Sequence, residues 1–156
     1  MKFSEMTYTR PDAESTKQHL AALTEQLKAA KSYEEARKVF LAQQEQAKHI
    51  STASTLASVR HSIDTRDSFY DAEEKFWNSF FPELEEYNQA WTAAMLESAF
   101  RADFEKEYGD LMFVNAEIGR KAFSPAIVEE LKQENQLVQD YQKLIASAQI
   151  EFEGGT

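Results

Sequence analysis

Hydrophobic positions recur at helical intervals along most of this chain. Residues 1–11 are the exception. Phe3, Met6 and Tyr8 alternate with polar residues and Arg10-Pro11 disfavours helix before the proline, so the segment reads as an extended lead-in strap. From Asp12 onward, Leu20, Leu23 and Leu27 define an amphipathic helix that fades near Lys31. Ser32-Tyr33-Glu34-Glu35 then fits a capping box: the serine oxygen accepts a backbone N–H, and the glutamate reaches back to the serine's own N–H. The long helix that follows is marked by Val39, Phe40, Ala47, Ile50, Ala57 and Ile63, with no Gly or Pro to stop it. Within it, Ser51-Thr52-Ala53-Ser54-Thr55 is poor in helix propensity. Because Leu56, Val59 and Ile63 resume the period, the run reads as a place of close helix packing rather than a linker.

Asp67 or Ser68 starts a third helix dense in rings: Phe69, Tyr70, Phe76, Trp77, Phe80 and Phe81. Pro82 is expected to interrupt it and to serve as the first residue of the next helix, which carries Leu84, Tyr87, Trp91 and Met95. Phe100 to Tyr108 makes a short helix closed by Gly109, and Asp110 to Ala122 follows with Leu111, Val114 and Ile118 facing inward. Ser124-Pro125 opens the last helix, from about Ala126 to Ala148. There Leu131, Val138 and Ile145 fall seven residues apart, with Tyr141 and Ala148 at complementary positions, which predicts lengthwise packing on another long helix. Gln149 to Glu153 alternates like a strand, and Gly154-Gly155-Thr156 reads as a turn. The predicted fold class is all-α, an antiparallel multi-helix bundle with a short C-terminal strand-like stub. Residues 1–150 form the helical domain; residues 151–156 are read as the truncated start of the next strand or domain, since a lone strand cannot pair its own backbone groups.

The composition sharpens this. A length of 156 residues, 42% apolar and 28% charged, with four Gly and three Pro, suits one folded helical domain. The net charge of −10, from 17 basic against 27 acidic residues, repels phosphate backbones and anionic lipid. The densest basic stretch, Arg60, His61 and Arg66, is interrupted by Asp64 and Asp67, so neither nucleic acid nor membrane is an expected partner. The absence of cysteine excludes disulfides and thiol nucleophiles and is compatible with a reducing compartment. The first residues have no apolar core of the kind a signal peptide needs, and the expected location is cytoplasmic.

Little in the sequence points to catalytic chemistry. His19, His49 and His61 are scattered singly, so His-Glu-x-x-His, with two imidazoles one turn apart and a glutamate base, is absent. The residues three before them are Thr16, Gln46 and Ser58, which excludes a di-iron pattern. The four glycines form neither a phosphate cradle nor a nucleophile elbow. Glu73-Glu74, Glu85-Glu86 and Glu129-Glu130 read as solvated helix faces, and the histidines as surface or partner-contact residues. No catalytic residue, metal ligand or cofactor is therefore assigned to this chain, and no substrate-binding residue is singled out. Arg60, His61, Asp64, Arg66 and Asp67 form a mixed charge group over about two helical turns. A structural ion-pair network is the favoured reading, with substrate contact as the alternative. The aromatic cluster reads as core, yet six rings between Phe69 and Phe81 exceed what one stripe can bury against one neighbour, so some are expected to meet another domain.

The segment Ala57-Ser58-Val59-Arg60-His61-Ser62-Ile63-Asp64-Thr65-Arg66-Asp67-Ser68-Phe69-Tyr70-Asp71-Ala72-Glu73 resembles the N-terminal domain of oligoendopeptidase F-type, thimet oligopeptidase-like zinc metallopeptidases. Lys2 to Met6 through Arg10-Pro11-Asp12, Leu96 to Arg101, Ala122 to Pro125 and Tyr141 to Ala148 are similar too, in the same order. The resemblance implies a mainly helical enzyme that cleaves short peptides inside a deep channel, with this domain as part of the wall. It implies a zinc held by His-Glu-x-x-His and a further glutamate in the C-terminal part, with that remainder of the peptidase as this domain's partner. None of those ligands maps onto this chain. Two readings stay open: a non-catalytic N-terminal piece of such an enzyme, or a stand-alone helical interaction module using its aromatic face.

Overall fold

The computed structural model describes residues 3–122 and 128–148. A 3-10 turn at Phe3–Glu5 leads into an extended strap, followed by six helices among the described residues: α1 (Ala13–Ala29), α2 (Tyr33–Ile63), α3 (Ser68–Leu96), α4 (Arg101–Tyr108), α5 (Leu111–Ala122) and α6 (Val128–Ala146). No strand occurs among them, and no helix is long and apolar enough to cross a membrane. The strand-like stub and the turn expected beyond residue 148 lie outside the described residues, as does the Ser124-Pro125 start signal.

Local chemistry sets the helix starts. The Asp12 carboxylate accepts from Ser15 N–H at 2.7 Å, Ser32 Oγ from Glu35 N–H at 3.2 Å, and Asp67 Oδ1 from Phe69 N–H at 2.9 Å. The capping box differs in one detail: the Glu35 carboxylate accepts from Lys31 N–H at 2.8 Å, one residue before the expected serine. Gly109, at φ 86°, ends α4 in a region that a Cβ would disfavour.

Three long helices make the frame. Gln46 of α2 donates to the Thr16 carbonyl of α1, and Arg60 of α2 donates to the Tyr70 hydroxyl of α3, so α2 runs antiparallel to both. Lys17 meets Glu83 and the end of α1 reaches Ala94, which sets α1 parallel to α3. Between them lie Leu20, Leu23 and Leu27 of α1, Phe40 and Ala57 of α2, and Trp77, Phe80, Leu84, Trp91 and Met95 of α3. Each large side chain so buried contributes about 2 kcal/mol. Phe104 of α4 and Phe113 of α5 close the core at one end.

Pro82 does not break the chain into two helices. α3 runs unbroken from Ser68 to Leu96, although a proline at position 82 leaves the Asn78 carbonyl without its helical donor. Asn135 of α6 supplies one: its Nδ2 donates to that carbonyl at 3.3 Å. Two faces also differ from expectation. In α5, Phe113 and Met112 meet the core while Leu111, Val114 and Ile118 are exposed. Helix α6 does lie along the long helix α3, but through Asn135, Gln139, Lys132 and Lys143, leaving Val138, Tyr141 and Ile145 outward. Polar bonds to α3 outweigh the apolar stripe in choosing which side packs.

Candidate functional site

The strap is held by one buried carboxylate. Glu73, 4% exposed on α3, takes Arg10 through both oxygens, from Nε at 2.8 Å and Nη2 at 2.6 Å, and accepts from the Tyr8 hydroxyl. That hydroxyl in turn accepts from Trp77 Nε1 at 3.2 Å, and the Arg10 guanidinium lies 4.6 Å from the Phe76 ring centre. Arg10 holds the Glu73 carboxyl below its ordinary range against the opposing effect of burial. Burial, reinforced by the bond to Glu73, pushes the Tyr8 hydroxyl up to about 12. The expectation of a solvated Glu73-Glu74 face is thus corrected: Glu73 is buried and Glu74 half-buried. The reason is the strap, which brings a cation to Glu73 from 63 residues away.

Beneath this strap, α1 and α2 enclose an open groove of about 920 Å³. Thr9, Ser15, His19, Glu45, His49 and Thr52 bring hydroxyls, imidazoles and a carboxylate to it, while Pro11, Ile50 and Leu56 bring apolar surface. Gln46 sits on its floor, its Nε2 bound to the Thr16 carbonyl at 3.0 Å and its Oε1 without a hydrogen-bond partner among the described residues. The small run at Ser51–Thr55 borders this groove and a second one of about 230 Å³ on the other side. Its short side chains leave room there; Ser51, Thr52 and Thr55 are exposed and only Ala53 and Ser54 half-buried, in place of the close packing expected. Among the described residues, no hydroxyl lining the groove is hydrogen-bonded to a histidine or carboxylate, so no nucleophile there is paired with a base.

The five charged residues of the α2–α3 junction go to separate tasks. Arg60 donates to the Met6 carbonyl and to the Tyr70 hydroxyl at 2.6 Å and lies over the Phe3 and Tyr70 rings, tying down the strap. Asp67 caps α3. Arg66 and Asp64 make a 3.6 Å pair open to solvent, of a kind worth about 0–1 kcal/mol. His61 is 3% exposed, in contrast to the surface position expected, and its Nε2 stands 3.7 Å from Asp71 Oδ1, beyond hydrogen-bond distance. Asp71 is itself taken by Lys143 and by Lys75 at 3.0 Å, which hold its carboxyl below the ordinary range. The aromatic cluster divides as well: Trp77 and Phe80 are buried, while Phe69 and Phe81 remain exposed.

These residues do not fit a zinc ion. His19 and His49 flank the groove, His61 is buried at the far end of α2, and no group of three or more His, Asp or Glu side chains converges on one point among the described residues.

The model for the peptidase M3 N-terminal domain matches residues 3–123. The chain belongs to the peptidase M3 N-terminal domain family. Solved structures superpose on this M3 domain over 99% of its length. A protein designated oligoendopeptidase F is 36% identical with a TM-score of 0.95, and the match covers 27% of that chain. A second protein given that designation, from Bacillus anthracis str. Ames, is 35% identical with a TM-score of 0.94 over 28% of its chain. PZ peptidase A, solved with an inhibitor, is 35% identical with a TM-score of 0.94 over 27% of its chain. The M3 domain described here therefore spans little more than a quarter of these relatives. No curated protein matches it.

Proposed function

We propose that this chain is the non-catalytic N-terminal domain of a zinc-dependent oligoendopeptidase, that it forms part of the wall of a channel admitting short peptides, and that zinc and hydrolysis belong to the remaining polypeptide. The observation that carries the reading is a match at TM-score 0.95 covering 99% of this chain and only 27% of the oligoendopeptidase F chain. The groove beneath the strap, with its hydroxyls and imidazoles, is the surface here best equipped to meet a short peptide. A metal in the remainder would supply a polarised water for attack on the peptide carbonyl. What this domain's own residues do is shape access: Arg60, Arg10 and Glu73 fix the strap, and the strap borders the groove. A cytoplasmic location belongs to the same proposal.

The test compares the 156-residue chain with the longer polypeptide that this reading requires. Zinc content by elemental analysis and cleavage of quenched fluorescent peptides are the readouts. The chain alone is expected to bind no stoichiometric zinc and to cleave nothing, while the longer polypeptide does both. Turnover or one bound zinc in the isolated chain would overturn the proposal, and a gene that encodes no zinc motif would move the chain to the stand-alone module reading.

A further inference from the structure

The last helix is mounted the wrong way round for a helix whose only neighbour is this bundle. On α6, Asn135 donates to Asn78, Lys132 pairs with Glu83 at 3.0 Å, Lys143 pairs with Asp71, and Gln139 is 2% exposed against α3. On the opposite face Leu137, Val138, Tyr141, Leu144 and Ile145 are 50–69% exposed. An amphipathic helix ordinarily turns its apolar stripe to the core, because burying that stripe is what holds it in place. Here polar bonds hold it and the stripe is left for something else. A shallow trough of about 430 Å³ runs along this face, with Leu137, Val138 and Tyr141 in it and Glu130 and Glu134 at its rim.

We infer that the outward face of α6 is the seam on which the remainder of the peptidase polypeptide docks, through an apolar segment flanked by basic side chains. This rests on the reading of the chain as an oligoendopeptidase N-terminal domain. Two observations select that occupant. The similar solved chains are more than three times as long as the part matched, so most of such a molecule lies outside this domain and needs a surface to meet it. A second copy is the poorer fit, because it would bring two acidic rims together on chains that each carry a net charge of −10.

The test uses the longer polypeptide, with a benzophenone amino acid in place of Tyr141 on the seam or, as control, in place of Lys38 on the exposed side of α2. Irradiation is expected to link position 141, within one chain, to residues beyond the N-terminal domain, in yield at least about tenfold above position 38, since docking buries the former and not the latter. Equal yields, or a product of doubled mass, would overturn the seam. Val138→Glu with Leu144→Glu should leave the circular dichroism of the 156-residue chain unchanged and speed proteolytic separation of the domain from the rest by at least about tenfold; unchanged proteolysis would also overturn it. Zinc and peptide turnover are measured on the same preparation. Zinc and turnover with a misplaced cross-link sink the seam alone, whereas absence of both sinks the peptidase reading and the seam with it.

Discussion

Replacing Pro82 with alanine should stabilise the domain, and should make Asn135 dispensable. A proline inside a helix costs about 3 kcal/mol relative to alanine. Pro82 is buried, so trimming its ring removes about two methylenes of packing at roughly 0.8 kcal/mol each and leaves a net gain of about 1 kcal/mol. In the native background, Asn135→Ala leaves the half-buried Asn78 carbonyl without a donor and should cost about 1–2 kcal/mol. With alanine at position 82 the restored N–H takes that carbonyl, and the same Asn135 change should cost less than about 0.5 kcal/mol beyond lost side-chain contacts. Urea unfolding of the two single variants and the double variant, followed by far-ultraviolet circular dichroism, measures a coupling expected near 1 kcal/mol. If Asn135→Ala costs the same in both backgrounds within about 0.3 kcal/mol, the donor-replacement argument is wrong.

Three further outcomes follow from the same geometry. Arg10→Ala strips the cation from a carboxylate whose side chain is 5% exposed; because Arg10 itself is 45% exposed, a loss of about 2 kcal/mol is expected in urea unfolding, below the full cost for a buried pair. Ser32→Ala should cost about 1 kcal/mol and Ser32→Gly only a few tenths, since glycine is itself a tolerated N-cap; equal losses would refute the capping role. Asp71, Glu73 and Glu83 are all held below their ordinary range by Lys143, Arg10 and Lys132. Their folded values lie below the unfolded ones, so their contribution is complete above an unfolded value near 4 and is lost as pH falls through the folded values. Asp71 and Glu83 hold α6 through Lys143 and Lys132, so the protection of α6 amides, corrected for the intrinsic exchange rate at each pH, should fall in that acid window, and Lys143→Met should remove part of the effect.

Much of the fold was legible because its determinants are local. The helix beginnings at Asp12 and at Asp67 or Ser68, the cap at Ser32, the stop at Gly109 and the period of Leu20, Leu23 and Leu27 each depend on atoms within a turn or two of the chain, and the structure carries all of them, adding that Asp12 and Asp67 are themselves the caps. The candidate site was legible only in part. His19 and His49 could be counted along the chain, but that they border one groove follows from the packing of α1 on α2. Glu73 looked like one acidic residue among many. Nothing near it signals burial, since its partners Arg10 and Tyr8 lie 63 and 65 residues earlier.

Periodicity reports which residues share a stripe and is silent on where the stripe points. The alternation of apolar and polar positions in residues 128–146 dictates an amphipathic helix, with either side available to the bundle. Glu83, Asn78 and Asp71, arrayed along α3, meet the polar side, and the same face gives the carbonyl orphaned by Pro82 a donor. Helices and their ends came from short-range backbone and side-chain preferences, which any reading of neighbouring residues contains. Facing, burial and the rescue of an orphaned carbonyl came from partners dozens of residues away, which meet only once the chain has folded.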